Sequence, residues 1–519
     1  MADATQVWPV GTRKQLLFDR RFVESSEGLQ FTVNLPLQRT PVNLPSLRGL
    51  QHAGGLTVLD VDGRLWLYYL TMPNETMPNE ASEQLNCMCC LAYSGDGIDW
   101  ELAQVDRFEV AGLAQNNVVM PGAVGTPFLD PRETCGCRFW FAGSLGERTE
   151  PPIWDEARET YYGYFDDGRK VHVHGAVYLL HSEDGISWRR LGSGVVVPFR
   201  CDTQNQVLYD AGAGAYVAYL RGAAAAGTWG PGWGRRRTVA RLTSPELTQL
   251  PFDFHEDTTL PRSPVGLYDR LPPQCAPVVM AGDERDPPAT DVYTPCVNPY
   301  VWADDAIFAF PSMFRQYGEQ DSHGRDHRGQ NPKDGPVEVQ LAVSRDGVTF
   351  ERFRTPYVGL GLIDEPHLGG SVYMGVGLIR RGNFVYQYYT EAATTHGTPD
   401  TDVRIWQAKQ RLDGFVSVDA GPEDGWFVTP PIEFAGSRLQ LNIDCGATGE
   451  AWVELQDETG KPLPGYTFQD AVSVDRNGVA QEVWWRGGPD VGSLSGRPVR
   501  MRVTMRSAKL YAFQFVEAG

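Results

Sequence analysis

One short phrase recurs three times along this chain of 519 residues, and it constrains the fold more than any other feature. YSGDGIDWE begins at Tyr93, HSEDGISWRR at His181 and SRDGVTFERF at Ser344. In each copy the aspartate can cap a tight turn, the glycine can take a positive φ, and the aromatic residue can pack between sheets. Because a strand-like apolar run precedes each copy, the phrase predicts a turn between two outer strands of a repeated sheet.

Two degenerate copies extend the series, LTSPELTQL around Pro245 and RLDGFVSV around Asp413. Successive copies lie about 60 to 100 residues apart, a spacing that fits one decorated four-stranded blade. Hairpin turns after apolar runs alternate with these copies, and they lie near Asp62, Pro131, Gly212, Asp304 and Arg381. Five inner hairpins alternating with five outer turns predict a five-bladed β-propeller.

The pattern changes near Pro422, where alternating strands such as GEAWVELQDETG and PVRMRVTMRSAKLYAFQFV are separated by polar turns. We therefore predict an all-β chain, with a five-bladed β-propeller over residues 1–421 and a C-terminal β-sandwich over residues 422–519. Packing support is favoured over carbohydrate binding as the role of the sandwich. The N-terminal segment KQLLFDRRFVESSEGL, residues 14–29, is expected to supply a strand that closes the ring beside the last blade.

Charge and composition exclude several classes of partner. The formal net charge of −19 argues against nucleic acid, which requires clustered Lys and Arg. The chain has neither the apolar core of a secretory signal at its start nor an apolar run of about 18 residues, so we expect a cytoplasmic protein without a membrane partner. Nine cysteines without paired C-x2-C spacing predict buried free thiols and no metal site. The oligomeric state stays unknown.

In a propeller, the first strand of each blade lines the central channel, and the loop that enters this strand opens onto one face. Reading back from the inner hairpins places four carboxylates at such loops, Asp202, Asp291, Asp364 and Glu365. Neutral hydrogen-bonding side chains accompany them: Gln51, His52, Asn116, Asn117, Gln204, Asn205 and Tyr293. Carboxylates that converge on one polar funnel are the groups needed to cleave a glycosidic bond. Arg221 is expected beneath the funnel, lowering the pKa of a carboxylate, and His396 is expected to bind sugar hydroxyls.

Five blades, funnel carboxylates and a C-terminal sandwich together resemble the furanosidase superfamily of glycoside hydrolases, which includes families 32 and 43. The segments LLFDRRFVESSEGL, CDTQN, QLAVSRDG and LYAFQF resemble a bacterial group of family-32-like glycosyl hydrolases, and this second likeness covers nearly the whole chain. The superfamily implies three acids: a nucleophile or base, an acid, and an aspartate that tunes the acid. On this resemblance Asp202 is the base or nucleophile, Glu365 the acid with Asp364 as its substitute, and Asp291 the modulator. His52 stands where invertase-like enzymes carry the aspartate of their N-D-P-N-G motif.

The preferred hypothesis is a glycoside hydrolase that cleaves a small or terminal glycosidic linkage of an oligosaccharide. It needs no cofactor, and a structural cation on the propeller axis is left open. A non-catalytic carbohydrate-binding propeller is one alternative. A sugar lyase that uses His52 and Tyr293 as acid and base is another. The sugar, the linkage and the stereochemical outcome are not determined by the sequence.

Overall fold

A computed structural model describes residues 6–47, 50–73, 87–107, 115–121, 123–148, 172–174, 176–201, 203–224, 236–260, 268, 270–287, 289–317, 334–362, 369–397 and 403–518. Nearly all regular structure in these residues is β-strand, which confirms the all-β prediction. Helical segments are limited, in the described ranges, to the short 3-10 turns Arg20–Phe22, Thr134–Gly136 and Gly492–Leu494. Accordingly, none of the helices found there has the length and apolar character needed to cross a membrane.

The N-terminal strands are divided between two parts of the molecule. They are β1 (Trp8–Gly11), β2 (Gln15–Leu16), β3 (Ser25–Glu27), β4 (Leu29–Val33) and β5 (Gln38–Pro41). The first four pair with strands from the C-terminal part of the chain, whereas β5 becomes the outermost strand of the fifth unit described below. The prediction that residues 14–29 supply the closing strand is therefore wrong in position, because Gln38–Pro41 makes this pairing.

Five strand units follow β5 in chain order, and neighbouring strands within each unit are antiparallel. Unit one comprises β6 (Leu50–Val61), β7 (Arg64–Pro73), β8 (Met88–Ser94), β9 (Glu101–Leu102) and β10 (Val118–Pro121). Unit two comprises β11 (Ala123–Leu129), β12 (Phe139–Arg148), β13 (His172–His174), β14 (Val177–Ser182) and β15 (Arg189–Val197). Unit three comprises β16 (Gln206–Asp210), β17 (Ala215–Ala224), β18 (Arg236–Ser244) and β19 (Val278–Met280).

Units four and five are joined into one sheet by a parallel contact between Val337 and Ser371. Unit four comprises β20 (Thr290–Thr294), β21 (Val297–Pro299), β22 (Ile307–Ala309), β23 (Ser312–Arg315), β24 (Val337–Ser344) and β25 (Glu351–Val358). Unit five comprises β26 (Ser371–Met374), β27 (Ile379–Arg381), β28 (Phe384–Ala392) and β29 (Val403–Arg411), with β5 added at its edge.

The C-terminal strands form two six-stranded sheets around one buried apolar core. They are β30 (Val416–Ala420), β31 (Gly425–Val428), β32 (Ile432–Phe434), β33 (Arg438–Asp444), β34 (Glu450–Asp457), β35 (Ala471–Val472), β36 (Asn477–Glu482), β37 (Trp484–Trp485), β38 (Val499–Arg506) and β39 (Ala508–Val516). Strands β1 to β4 and β30 belong to these sheets although they precede the expected boundary at residue 421. Strands β35 and β37 form a separate two-stranded sheet.

Each strand unit shares a buried apolar cluster with the next one. Trp140 of unit two and Tyr216 of unit three lie in one cluster, and Leu67 of unit one and Tyr388 of unit five lie in another. The remaining clusters join units one and two, three and four, and four and five. The contacts therefore return from the fifth unit to the first. All nine cysteines are free thiols, and seven of them are buried, so the thiol prediction is confirmed for those seven.

The repeated phrase forms the same turn in all three full copies. At Gly97, which has a φ of 81°, the backbone N–H donates to Oγ of Ser94 over 2.8 Å. Oδ1 of Asp96 accepts hydrogen bonds from the next two backbone N–H groups, over 2.8 and 3.0 Å. The copies at Gly185 and Gly347 repeat this pattern. The aspartate side chain thus caps the turn by accepting hydrogen bonds from the turn's own backbone, as the sequence predicted.

The preceding unit holds each of these turns. Tyr68 of unit one donates its phenol hydrogen to the carbonyl of Gly185, and Tyr219 of unit three does the same to Gly347, both over 2.8 Å. The turn of unit one is held by unit five, because Nε2 of Gln407 donates to the carbonyl of Gly97 over 3.1 Å.

The two degenerate turns are also held by the preceding unit, but through other pairs of groups. Arg132 of unit two donates to the carbonyl of Pro245 over 3.3 Å, and Tyr300 of unit four donates to Oδ1 of Asp413 over 2.7 Å. We call these five contacts the turn latches. Together they connect every unit to the next and close the ring.

Asp413 also joins the strand units to the C-terminal sheets. Its side chain is fully buried and has left-handed backbone geometry, with a φ of 63°. Lys14 approaches Oδ2 at 2.8 Å, and Nδ2 of Asn442 donates to the same oxygen over 2.9 Å. With Tyr300 on the other oxygen, one carboxylate binds the N-terminal segment, unit four and β33.

Substituting Gly347 with alanine tests the latches. An ideal Cβ at Gly347 would lie 2.6 Å from the phenol oxygen of Tyr219, whereas a Cβ at Gly214 would meet nothing within 4 Å. Both glycines have a positive φ, so Gly214→Ala measures the backbone cost alone, about 1 kcal/mol. We expect Gly347→Ala to lower the free energy of unfolding by about 2 to 4 kcal/mol in urea titrations. Adding Tyr219→Phe should recover part of this loss, and equal effects of the two alanines would contradict the latch.

Asp413→Asn tests the buried carboxylate. Asparagine tolerates the same backbone geometry, so the main change is the loss of a negative charge beside Lys14, whose side chain is only 15% exposed. Breaking such a pair should reduce the free energy of unfolding by about 3 kcal/mol. Glu101→Gln is the matched control, because the Arg64–Glu101 pair is exposed and 4.0 Å apart. It should change stability by less than about 0.5 kcal/mol.

Candidate functional site

A cavity of about 440 Å³ lies where the first strands of the five units converge. Residues from all five units line it. Its described lining consists of Gln51, His52, Gly54, Gly55, Leu70, Met72, Val124, Gly125, Thr203, Gln204, Tyr293, Thr294, Ser371, Tyr373, Met374, Thr390, Ala392, Thr394, Thr395, His396, Gly397 and Val403. Five of these lining residues are ligand-binding groups that the sequence predicts: Gln51, His52, Gln204, Tyr293 and His396.

Several buried polar atoms of this lining have no hydrogen-bond partner in the described structure. They are Oε1 of Gln51, Nδ1 of His52 and Oγ1 of Thr203. Thr203 is only 5% exposed, so water reaches its hydroxyl poorly. Buried polar groups are normally paired, because leaving them unpaired costs free energy. A ligand with several hydroxyl groups would supply the missing partners.

His52 lies on the unit-one side of the cavity. Its Nε2 is 3.2 Å from Oγ of Ser46, and its ring meets that of Tyr69 edge-on at 5.4 Å. Burial lowers the pKa of His52, although the nearby backbone of Leu44 acts in the opposite direction. The imidazole is therefore neutral near pH 7 and offers one donor and one acceptor.

His396 lies on the unit-five side and is enclosed by aromatic rings. The phenol oxygen of Tyr373 is 2.7 Å from Nδ1, and the rings of Tyr293 and Phe314 lie 4.5 and 4.7 Å from the imidazole. Burial and the positive charges of two neighbouring arginines, Arg237 and Arg221, lower the pKa of His396 to about 4, while Asp334 acts in the opposite direction. This histidine is also neutral near pH 7.

Asp334 shapes the loop that carries His396. Its Oδ1 accepts the backbone N–H of Gly397 over 2.6 Å, and its Oδ2 accepts the hydroxyl of Thr395 over 2.9 Å. Neither Asp334 nor Tyr373 is among the site residues predicted from the sequence. The only local signal for Tyr373 was its place on a strand that follows the GLIDEPHLGGS segment.

Asp291 lies in the wall behind the cavity and does not line it. The side chain is fully buried on β20, where Oδ2 accepts a hydrogen bond from Nε2 of Gln316 over 2.5 Å. Burial raises the pKa of Asp291, and the nearby charges of Arg237 and Arg236 oppose this shift. The guanidinium of Arg237 in turn lies 4.3 Å from the centre of the Tyr293 ring. Asp291 therefore lies near two arginines and bonds to Gln316, and it is not among the described lining residues.

The predicted asparagines are used within the fold. Asn117 is fully buried and donates to the phenol of Tyr69 and to the carbonyl of Leu91 over 2.8 Å each. Asn205 donates to the carbonyls of Cys201 and Thr203, and Oδ1 of Asn116 accepts from the backbone of Val118. None of the three is among the described residues that line the cavity.

Arg221 is buried close to the cavity but does not line it. Burial and the neighbouring charges of Arg237 and Arg270 lower the pKa of Arg221 to about 9. Three predicted acids, Asp202, Asp364 and Glu365, lie outside the described residues. Within the part of the chain that is described, no group of three or more His, Cys, Asp or Glu side chains is placed to hold a metal ion.

No protein-family model and no curated protein matches this chain. Among solved structures, it is similar to a family 43 arabinoxylan arabinofuranohydrolase from Bacillus subtilis, with 12% identity, a TM-score of 0.39, and coverage of 90% of this chain and 96% of that one. A β-1,2-mannobiose phosphorylase from Listeria innocua has 13% identity, a TM-score of 0.38, and coverage of 72% and 94%. A family 32 β-fructofuranosidase from Bombyx mori has 10% identity, a TM-score of 0.38, and coverage of 93% and 95%.

Families 32 and 43, named in the predicted resemblance, are both represented among these similar structures. All three TM-scores are below 0.5, so these likenesses assign no activity or substrate to this chain.

The low pKa of His396 predicts a pH-dependent stability. Unfolded histidine titrates near 6.5, so the unfolded chain takes up a proton below this pH while His396 in the folded chain stays neutral down to about 4. The contribution of His396 to the free energy of unfolding is complete above about pH 6.5. About 2 kcal/mol of this free energy should be lost between pH 7.5 and pH 5. Urea titrations at the two pH values measure this loss, and His396→Gln should lose about 2 kcal/mol less than the wild type. The same loss in His396→Gln as in the wild type would contradict the assignment of this pH dependence to His396.

Proposed function

We propose that this chain is a glycoside hydrolase that cleaves a small or terminal glycosidic linkage. We infer further that the five strand units are the blades of a five-bladed propeller and that the C-terminal sheets form a sandwich. The single observation that carries the proposal is the cavity at the convergence of the five units, with its unpaired polar atoms on Gln51, His52 and Thr203.

The chemistry of this lining suits a sugar. Hydroxyl groups both donate and accept hydrogen bonds, so they can pair with an amide oxygen, an imidazole nitrogen and a threonine hydroxyl at once. A cavity of about 440 Å³ lies in the size range of small-molecule sites. Two neutral histidines add hydrogen-bonding groups without adding charge. A neutral polyhydroxylated ligand fits this combination better than a strongly charged one.

The acids of the reaction are part of the proposal. Asp202 directly precedes Thr203 in the sequence, and Asp364 and Glu365 precede Ser371, and both Thr203 and Ser371 line the cavity. Glu365 would protonate the departing glycosidic oxygen, with Asp364 as its substitute. Asp202 would attack the anomeric carbon or activate a water molecule. These roles need no cofactor.

Asp291 acts differently in this proposal. Because it is fully buried and does not line the cavity, it influences the site through Arg237 and the Tyr293 ring beneath that guanidinium. It is a positioning residue and does not touch the sugar. Its modulating role is therefore to adjust the electrostatic potential and the positions of the residues behind the cavity.

A second candidate function is carbohydrate binding without catalysis. The observation that favours it is that none of the described lining residues is a carboxylate. The two functions differ in what happens to the bound sugar, so a single assay can separate them.

Release of reducing sugar from a panel of aryl and methyl pyranosides and furanosides tests the hydrolase. Asp202→Asn and Glu365→Gln should each lower kcat/KM by about 10²- to 10⁴-fold, because each removes one acid–base or nucleophilic group. Glu101→Gln, at an exposed position outside the cavity, should keep wild-type activity. Sugar binding without turnover in the wild type would support the non-catalytic candidate, and unchanged activity in Asp202→Asn would remove that residue from the mechanism.

A further inference from the structure

The hydrogen bond between Tyr373 and His396 gives the two imidazole nitrogens different surroundings. Nδ1 lies 2.7 Å from the phenol oxygen, and both residues line the cavity. Nε2 has no hydrogen-bond partner within the described ranges. The ring is also held in place by its edge-on contacts with Tyr293 and Phe314. Nε2 is therefore the nitrogen left for a ligand.

The backbone of His396 is fixed as firmly as its ring. Its N–H donates to the carbonyl of Gly335 over 3.0 Å, and the next residue, Gly397, donates to Asp334. An alanine Cβ at Gly397 would lie 2.7 Å from Cβ of Asp334, so this segment packs closely against its neighbour. The imidazole therefore has little freedom to exchange the positions of its two nitrogens.

The chemistry of the pair selects the direction of the hydrogen bond. A phenol O–H is a better donor than an imidazole N–H, and a bare imidazole nitrogen is a better acceptor than a phenol oxygen. The stronger arrangement has Tyr373 donating to a bare Nδ1. In a neutral ring the single proton then sits on Nε2, since the bond made by one nitrogen determines the protonation of the other.

The charged groups around the ring preserve this neutral form. Arg237 on β18 and Arg221 on β17 disfavour a positive imidazole, and Asp334 is the acidic group that favours it. Tyr293 packs against the ring without a hydrogen bond to it among the described contacts. Burial adds to the effect of the arginines, and the neutral state is favoured over the whole range near neutral pH.

We propose that Tyr373 is a positioning residue that fixes His396 as the Nε2–H tautomer, so that His396 donates a hydrogen bond to an acceptor oxygen of the bound sugar. The identity of the ligand rests on the proposed function, whereas the tautomer does not. The orphaned atoms on Gln51 and Thr203 belong to the same cavity, so the ligand would be bound by units one, three and five together.

Nitrogen-15 NMR of the full chain with labelled histidine tests the tautomer without any ligand. The signals of His396 among the nine histidines are identified by their loss in His396→Gln. Between pH 6 and pH 8 the wild type should show a bare Nδ1 and a protonated Nε2. Tyr373→Phe should give a mixture of both tautomers, while Tyr293→Phe, the matched control, should keep the wild-type pattern. A protonated Nδ1 in the wild type, or an unchanged pattern in Tyr373→Phe, overturns the proposal.

Binding of methyl glycosides, measured by calorimetry, tests the donor. The amide nitrogen of glutamine can reach the place of Nε2, whereas that of asparagine lies near the place of Nδ1. We expect His396→Gln to keep the affinity within about threefold and His396→Asn to lose about five- to tenfold, the effect of one hydrogen bond. Equal losses in both variants overturn the donor role. If the NMR result holds but no methyl glycoside binds, the assignment to a sugar falls together with the proposed function, while the tautomer assignment stands.

Discussion

The fold depends on the latch between each outer turn and the preceding strand unit. In the full copies a glycine presents its carbonyl to a neighbouring side chain, Tyr68, Tyr219 or Gln407. This glycine has no Cβ, so the donor can approach the turn closely. Because the turn of unit one is held by unit five, the latches form a closed series of contacts among the five units. The converging first strands, and hence the cavity, depend on this closure.

The contact at Asp413 extends the same principle to the C-terminal sheets. At this turn the acceptor is a buried carboxylate, which binds Tyr300 and also Lys14 and Asn442. The N-terminal segment therefore contributes strands β1 to β4 to the C-terminal sheets, contacts the strand units through Lys14 and then continues into β5. At β5, Arg39 reaches the fully buried Glu391 on β28 over 2.8 Å. The same N-terminal segment thus takes part both in the fifth unit and in the attachment of the C-terminal sheets.

The site combines a neutral lining with charges in the wall behind it. Burial keeps His52 and His396 neutral, and Arg237 and Arg221 strengthen this effect at His396. Asp291, whose pKa is raised by burial, lies near Arg237 and Arg236 and is not among the described lining residues. Such an arrangement separates the groups that contact a ligand from those that adjust the electrostatic potential around it. The orphaned polar atoms of Gln51 and Thr203 remain on the ligand side.

The sequence by itself determined the turns of the repeated phrase, because the bonds of Asp96, Asp184 and Asp346 lie within a few residues of each. It also named Gln204 and Tyr293, since strand order places their segments at one end of the ring, and both line the cavity. Tertiary structure alone decided that Asn117 bonds to Tyr69, that Gln316 donates to Asp291, and that Tyr373 meets His396. A sequence shows which side chains can form hydrogen bonds. Which of them remain available to a ligand depends on distant partners that only folding brings within reach.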